Sequence, residues 1–144
     1  MTNLIVWQSL WNTGIPELDK HHIAMVEQLN RLVEILQQPA GTAGRQQKVE
    51  DTVNQYLRIT REHFEWEEQQ MRDTDFPGYA RHKRDHTMLL AELNQLLADI
   101  RDTQFSIDTA TLRALKHWVI AHITLGDRPY AEYCSTIGQT AGEH

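Results

Sequence analysis

Four stretches of the chain repeat apolar residues at steps of three and four: roughly 17–37, 45–72, 79–101 and 108–125. Gly and Pro are almost absent from their interiors. Leu, Glu, Gln and Arg, which lose little freedom on entering a helix, dominate them. The breaks are equally legible: Gly14 and Pro16 before the first, then QQPAGTAG (37–44), DTDFPG (73–78) and DTQFS (102–106). Pro77 with Gly78 enforces a turn, and Asp108 or Thr109 can cap the last helix. Alternation with a period of two is sustained nowhere. The expected fold is all-α, an up-down-up-down four-helix bundle. It forms a single domain over 1–144, with an N-terminal arm (1–16) and a short C-terminal helical tail (126–144).

The inward stripes carry an unusual residue type. In the first helix Leu18, His22, Met25, Val26, Leu29, Val33 and Leu36 share a face, whereas His21 aligns with Glu17, Ala24, Gln28 and Arg31 on a polar one. In the second, Val53, Tyr56, Ile59, His63, Glu67 and Met71 align, and Glu65 and Glu68 fall to other sides. In the third, HKRDH (82–86) turns His82 and His86 inward beside Tyr79, Leu89, Leu93, Leu96 and Ile100, leaving Lys83, Arg84 and Asp85 in solvent. In the fourth, Leu115, Trp118, Val119, His122 and Leu125 align, with His117 outside. His21, His117 and His144 are read as surface residues, and Cys134 as a packing residue.

Composition narrows the function classes. The 144 residues carry a net charge of −6 with 24% charged side chains, so no basic stripe remains for nucleic acid. A single cysteine excludes an internal disulfide and suits a reducing compartment. No apolar run is long enough for a membrane span, and MTNLIVWQSLW lacks a basic region preceding a sustained apolar one. The expected location is cytoplasmic. The informative excess is eight histidines.

Five inward imidazoles and a buried carboxylate are costly unless paired, and each neutral imidazole has only one donor to offer. A metal satisfies all of them together. HITLGD (122–127) offers one more acid, but Asp127 lies five residues after His122, about 140° round a regular helix. A break or wide turn near Gly126 is expected to bring it back. The candidate donors are therefore His22, His63, Glu67, His82, His86, His122 and Asp127. Seven exceed what one ion takes, and two ions bridged by two carboxylates use them naturally. Imidazole with carboxylate suits iron, zinc, copper or manganese.

The ordered set DKHH (19–22), HFEWEEQQM (63–71), HKRDH (82–86) and WVIAHITLGD (118–127) resembles the hemerythrin family. The arm VWQSLWNTGIPELD (6–19) and tail DRPYAEY (127–133) resemble its stand-alone prokaryotic members, the bacteriohemerythrins. The resemblance implies two Fe ions in a non-haem di-iron centre with an oxo or hydroxo bridge. His82, His86 and His122 would bind one iron, His22 and His63 the other, with Glu67 and Asp127 bridging. It implies reversible binding of O2, end-on as a hydroperoxide at the five-coordinate iron, in an oxygen carrier rather than an enzyme. The alternatives are a di-iron redox enzyme acting on peroxide or nitric oxide, or an iron-handling or oxygen-sensing module. Leu18, Ile59, Leu89, Trp118 and Val119 are candidates for an apolar lining. Ile59 stands where relatives often carry an aromatic. A monomer or weak homo-oligomer is expected.

Overall fold

Helix α1 (Pro16–Leu36) opens on a proline, whose fixed φ and missing N–H suit a first turn. Asp19 in that turn accepts from the Thr13 N–H at 2.8 Å and the Thr13 hydroxyl at 2.7 Å, tying the arm to the helix. Helices α2 (Arg45–Asp73), α3 (Tyr79–Asp102) and α4 (Thr109–Ala121) follow, then a π-helical turn (His122–Gly126) and α5 (Arg128–Thr136). The computed structural model describes residues 4–102 and 109–138. The proposed cap Asp108, most of the DTQFS break and His144 lie outside the described residues. No strand occurs among the described residues, and no described helix is long and apolar enough to cross a membrane.

α1 packs on α2, α2 on α3, α3 on α4, and α4 returns to α1. That ring of sequential neighbours is the up-down-up-down bundle. α2 stops because Asp75 takes a left-handed φ of 53° and the Phe76 N–H reaches back to the Met71 carbonyl at 2.9 Å.

Two apolar clusters divide the interior. The larger contains Met25, Leu29, Val53, Tyr56, Leu93, Leu97 and Leu115; the smaller joins Ile15, Leu18, Met71, Tyr130, Ala131 and Cys134. The histidines lie between them. On α1, His22 follows Leu18 of one cluster and precedes Met25 of the other; on α2, His63 and Glu67 lie between Tyr56 and Met71. Apolar packing at both ends removes this polar layer from water, which sharpens every electrostatic interaction in it.

The helical stripes need three corrections. Thr60 and Phe64 are buried, whereas Ile59 is only half-buried. Leu89 and Leu96 are likewise half-buried, and Leu97 takes the inward place. Leu125, expected on the inner face of the fourth helix, is 74% exposed while Ile123 is fully buried. The wide turn after Ala121 changes the angular register, so a regular-helix count fails beyond that point.

Candidate metal centre

Every bundle helix except α4 sends at least one polar donor into the central layer, and the π turn that continues α4 supplies the remainder. His22 comes from α1, His63 and Glu67 from α2, His82 and His86 from α3, His122 from the start of the π turn and Asp127 from just after it. None is more than 8% exposed. Asp127 stands at the centre. Its Oδ2 lies 2.7 Å from His22 Nε2, 3.0 Å from His63 Nε2 and 3.1 Å from His122 Nε2; its Oδ1 lies 3.1 Å from His82 Nε2. Glu67 Oε1 lies 2.5 Å from His82 Nε2 and 3.3 Å from His86 Nε2, and Oε2 lies 3.7 Å from His63 Nε2.

The donors form two groups of four, His22, His63, His122 and Asp127, and Glu67, His82, His86 and Asp127. Within each group the donor atoms lie within 4.8 Å of one another. Asp127 belongs to both. The arrangement fits a binuclear metal site.

The π turn makes this possible. The Asp127 N–H donates to the His122 carbonyl five residues back at 3.2 Å, so the helix widens by one residue and carries the carboxylate inward. Gly126 does not take a left-handed φ. A Cβ there would meet His122 Nδ1 at 3.4 Å, an ordinary van der Waals contact. α5 holds the turn's far end: Tyr130, Ala131 and Cys134 pack on Ile15, Leu18 and Met71. The Tyr133 hydroxyl donates to the Thr74 carbonyl at 2.6 Å.

The family model for the hemerythrin HHE cation binding domain matches residues 13–134. The chain belongs to that family. A bacteriohemerythrin of Stenotrophomonas maltophilia is 28% identical over 142 residues, covering 98% of this chain and 89% of the relative. One of Pseudomonas aeruginosa is 24% identical over 89% of this chain and 80% of the relative, and a myohemerythrin of Riftia pachyptila 25% identical over 82% and 83%. A crystal structure of wild-type hemerythrin superposes with a TM-score of 0.72 at 20% identity, covering 90% of this chain and 96% of that one, which establishes the shared fold.

The resemblance to hemerythrins allots His122 to the ion held by His82 and His86, whereas the side chains group it with His22 and His63. The cause is local. The π turn draws His122 and Asp127 together, and Asp127 presents to His122 the same oxygen that it presents to His22 and His63.

A cation is what this cluster's chemistry fits. Both Glu67 oxygens and His86 Nε2 are buried without a hydrogen-bond partner, a cost that metal ligation removes. Burial pushes the Glu67 carboxyl well above its usual range, with the Asp127 charge adding to it and His82 opposing. Burial would also raise Asp127, but the charge of His122 and hydrogen bonds from His122, His22 and His63 hold it well below the usual carboxylate range. Burial depresses His63 to about 3 against the pull of Asp127, and burial with the His82 charge depresses His86 to about 2. His82 goes the other way: burial opposes its charge, yet its contacts with Asp127 and Glu67 lift it to about 10.

These shifts set the pH dependence of the metal-free protein. Below the ordinary histidine value of 6.5, the unfolded chain protonates His63 and His86 while the fold refuses both protons. Above the ordinary glutamate value of 4.5, the fold keeps the Glu67 proton that the unfolded chain has lost. Between those values the unfolded state binds more protons on balance, so stability rises with pH. Above 6.5 the sign reverses, because His82 retains its proton up to about 10. Chemical denaturation with a chelator present, at about pH 5, 6.5 and 8.5, is expected to show a maximum at the middle value. A flat profile contradicts this distribution of protons.

Residues off the inward stripes also reach the cluster. Glu68, assigned to another side of α2, lies with Oε2 2.8 Å from His86 Nδ1. His21, read as a surface residue, is half-buried and lies 3.1 Å from His63, Nδ1 to Nδ1. Long side chains at the seam between two helices reach the rear of a neighbour's imidazole without sharing the inward face. Phe64 stacks on His86 with centroids 4.0 Å apart and planes 5° from parallel. Trp118 stacks on His122 at 6.0 Å and donates its indole N–H to the Leu89 carbonyl at 3.1 Å. Among the lining candidates, Val119 and Leu18 are fully buried in the two apolar clusters, and Ile59 and Leu89 border separate recesses beside His63 and His86. His117 is exposed.

Proposed function

We propose that the seven clustered residues hold two iron ions and that the protein uses them to bind O2 reversibly, as a carrier or store. The observation that carries this is the pair of four-donor groups sharing Asp127 in a buried layer, in a chain of the hemerythrin family. Five imidazoles with two carboxylates suit iron. When bound, a ferrous pair supplies two electrons to O2 and recovers them on release.

The chain's own residues do the rest. Asp127 reaches both donor groups, and Glu67 lies in one of them and 3.7 Å from His63 in the other, which supports a bridging role for the two carboxylates. Metal entry at neutral pH displaces the protons that His82 and Glu67 retain. His22 and His63 are the two imidazoles that the resemblance gives to the ion with an open position. A recess of about 310 Å3 lies beside His63, walled in part by Ala24, Ile59 and Trp66. His21 and Glu62 complete its lining. Anionic oxygen donors stabilise highly oxidised iron, and this set has two where O2-activating bundles carry about four. That balance supports a carrier over an oxidising enzyme.

Purified protein loaded anaerobically with ferrous iron is expected to hold two ions per chain. It should gain a visible absorption band on exposure to O2 and lose it when the gas is stripped, over repeated cycles. Irreversible conversion to a ferric form with release or consumption of peroxide supports an enzyme instead. One zinc and no iron per chain, from cells grown without metal supplement, overturns both.

A further inference from the structure

His63 has two ring nitrogens, and the central cluster uses only one. Nε2 faces Asp127 at 3.0 Å and His122 Nε2 at 3.2 Å. Nδ1 faces out of the cluster toward His21 Nδ1 at 3.1 Å, with the two rings edge to face at 5.2 Å between centroids. On its other side, His21 Nε2 lies 3.3 Å from Glu17 Oε1, one turn back on α1. The His21 ring is held in place by Trp66, edge to face at 4.7 Å.

This arrangement has one self-consistent set of protons. An imidazole that ligates through Nε2 must carry its hydrogen on Nδ1. The His63 Nδ1–H then donates to His21, so His21 Nδ1 is bare and its hydrogen sits on Nε2. There it donates to the Glu17 carboxylate. Glu17, His21 and His63 form a directional chain from a half-exposed acid to the back of a cluster imidazole. The opposite side of the cluster is built differently, because His86 Nδ1 meets a carboxylate, Glu68, directly.

We infer that His21 is a positioning residue that fixes the tautomer and ring orientation of His63, and through it the affinity and electronic character of one of the two metal ions. The inference rests on the proposed binuclear site and extends it by a residue with no donor atom in the cluster. Partners at the rear of a ligating histidine raise its basicity and hold its plane, and their loss typically costs about 10–100-fold in metal affinity.

The experiment compares His21→Phe, His21→Gln and Glu17→Ala with the wild type. It uses ferrous titration against a competing chelator, Mössbauer spectra of the iron-loaded proteins, and circular dichroism to verify helicity. His21→Phe keeps an aromatic ring against Trp66 but removes both nitrogens. It is expected to weaken one ion by about 10–100-fold, leave the other near its wild-type affinity, and alter one of the two iron signals. His21→Gln returns an acceptor to the vicinity of His63 Nδ1 and restores most of the loss. Glu17→Ala, at a half-exposed position whose folding the circular dichroism checks, produces a smaller loss at the same ion. Two ions bound with wild-type affinity and unaltered spectra in both His21→Phe and Glu17→Ala overturn the role of His21 alone. A wild-type protein that cannot hold two ions overturns the binuclear reading itself, and this inference with it.

Discussion

Asp127→Asn is expected to abolish binding of both ions and to destabilise the metal-free protein. The substitution preserves size but removes a buried negative charge that faces His22, His63 and His122 through one oxygen and His82 through the other. It also brings an amide N–H2 group toward nitrogens that need an acceptor. His82 is kept protonated by Asp127 and Glu67 together, so it loses a principal partner. Removing one member of a buried ion pair costs about 3–5 kcal/mol, because the other charge remains without its counterion. Iron content measured on the purified variant should fall from two per chain to none, and the denaturation midpoint should fall with it. Retention of both ions would show that Asp127 is not shared between them.

Glu67→Met should move the two properties in opposite directions. Glu67 is fully buried, its close polar neighbours are the imidazoles of His82 and His86, and its carboxyl is held toward the neutral form. A buried group in that condition costs about 1–3 kcal/mol. Methionine fills similar volume without a polar atom and packs beside Met71 and Phe64 on the same helix. The metal-free variant is therefore expected to be more stable than the wild type by about 1–3 kcal/mol. Its metal content should drop to one ion or fewer, since the carboxylate grouped with His82 and His86 has gone. Urea denaturation with chelator measures the first effect and iron analysis the second. A variant that loses stability as well as metal would mean that the Glu67 contact with His82 outweighs the cost of burial.

The contrast between these two acids explains much about what was legible beforehand. Glu67 sits one turn after His63 on a regular helix, so its inward direction follows from helical periodicity. Asp127 does not, because five residues separate it from His122. Only the awkward spacing, with a glycine nearby, pointed to an irregular turn. The turn is present, and Gly126 takes part in it without an unusual φ. Leu125 shows the same effect from the other side: the register that brings Asp127 in turns Leu125 out to solvent.

The contacts behind the imidazoles were not legible. His21 and Glu68 each lie one residue from a cluster member, His22 and Glu67, and therefore about 100° round the helix from it. A wheel places such residues off the core. Whether they meet solvent or a neighbouring helix depends on the distance between helices and on where each side chain reaches. His21 meets His63 across the α1–α2 seam, and Glu68 meets His86 across the α2–α3 seam.

By itself, the sequence determined the all-α architecture, most of the buried faces, and the seven candidate donors that a four-helix arrangement would bring to one layer. Each of those depends on local periodicity, turn residues and the cost of burying unpaired polar groups. Only the tertiary structure decided the closeness of His122 to the Asp127 oxygen that also faces His22 and His63, the π turn that delivers Asp127, and the partners at the rear of His63 and His86. Those depend on distances of a few ångströms between residues far apart in the chain, which helix packing sets and no periodicity encodes.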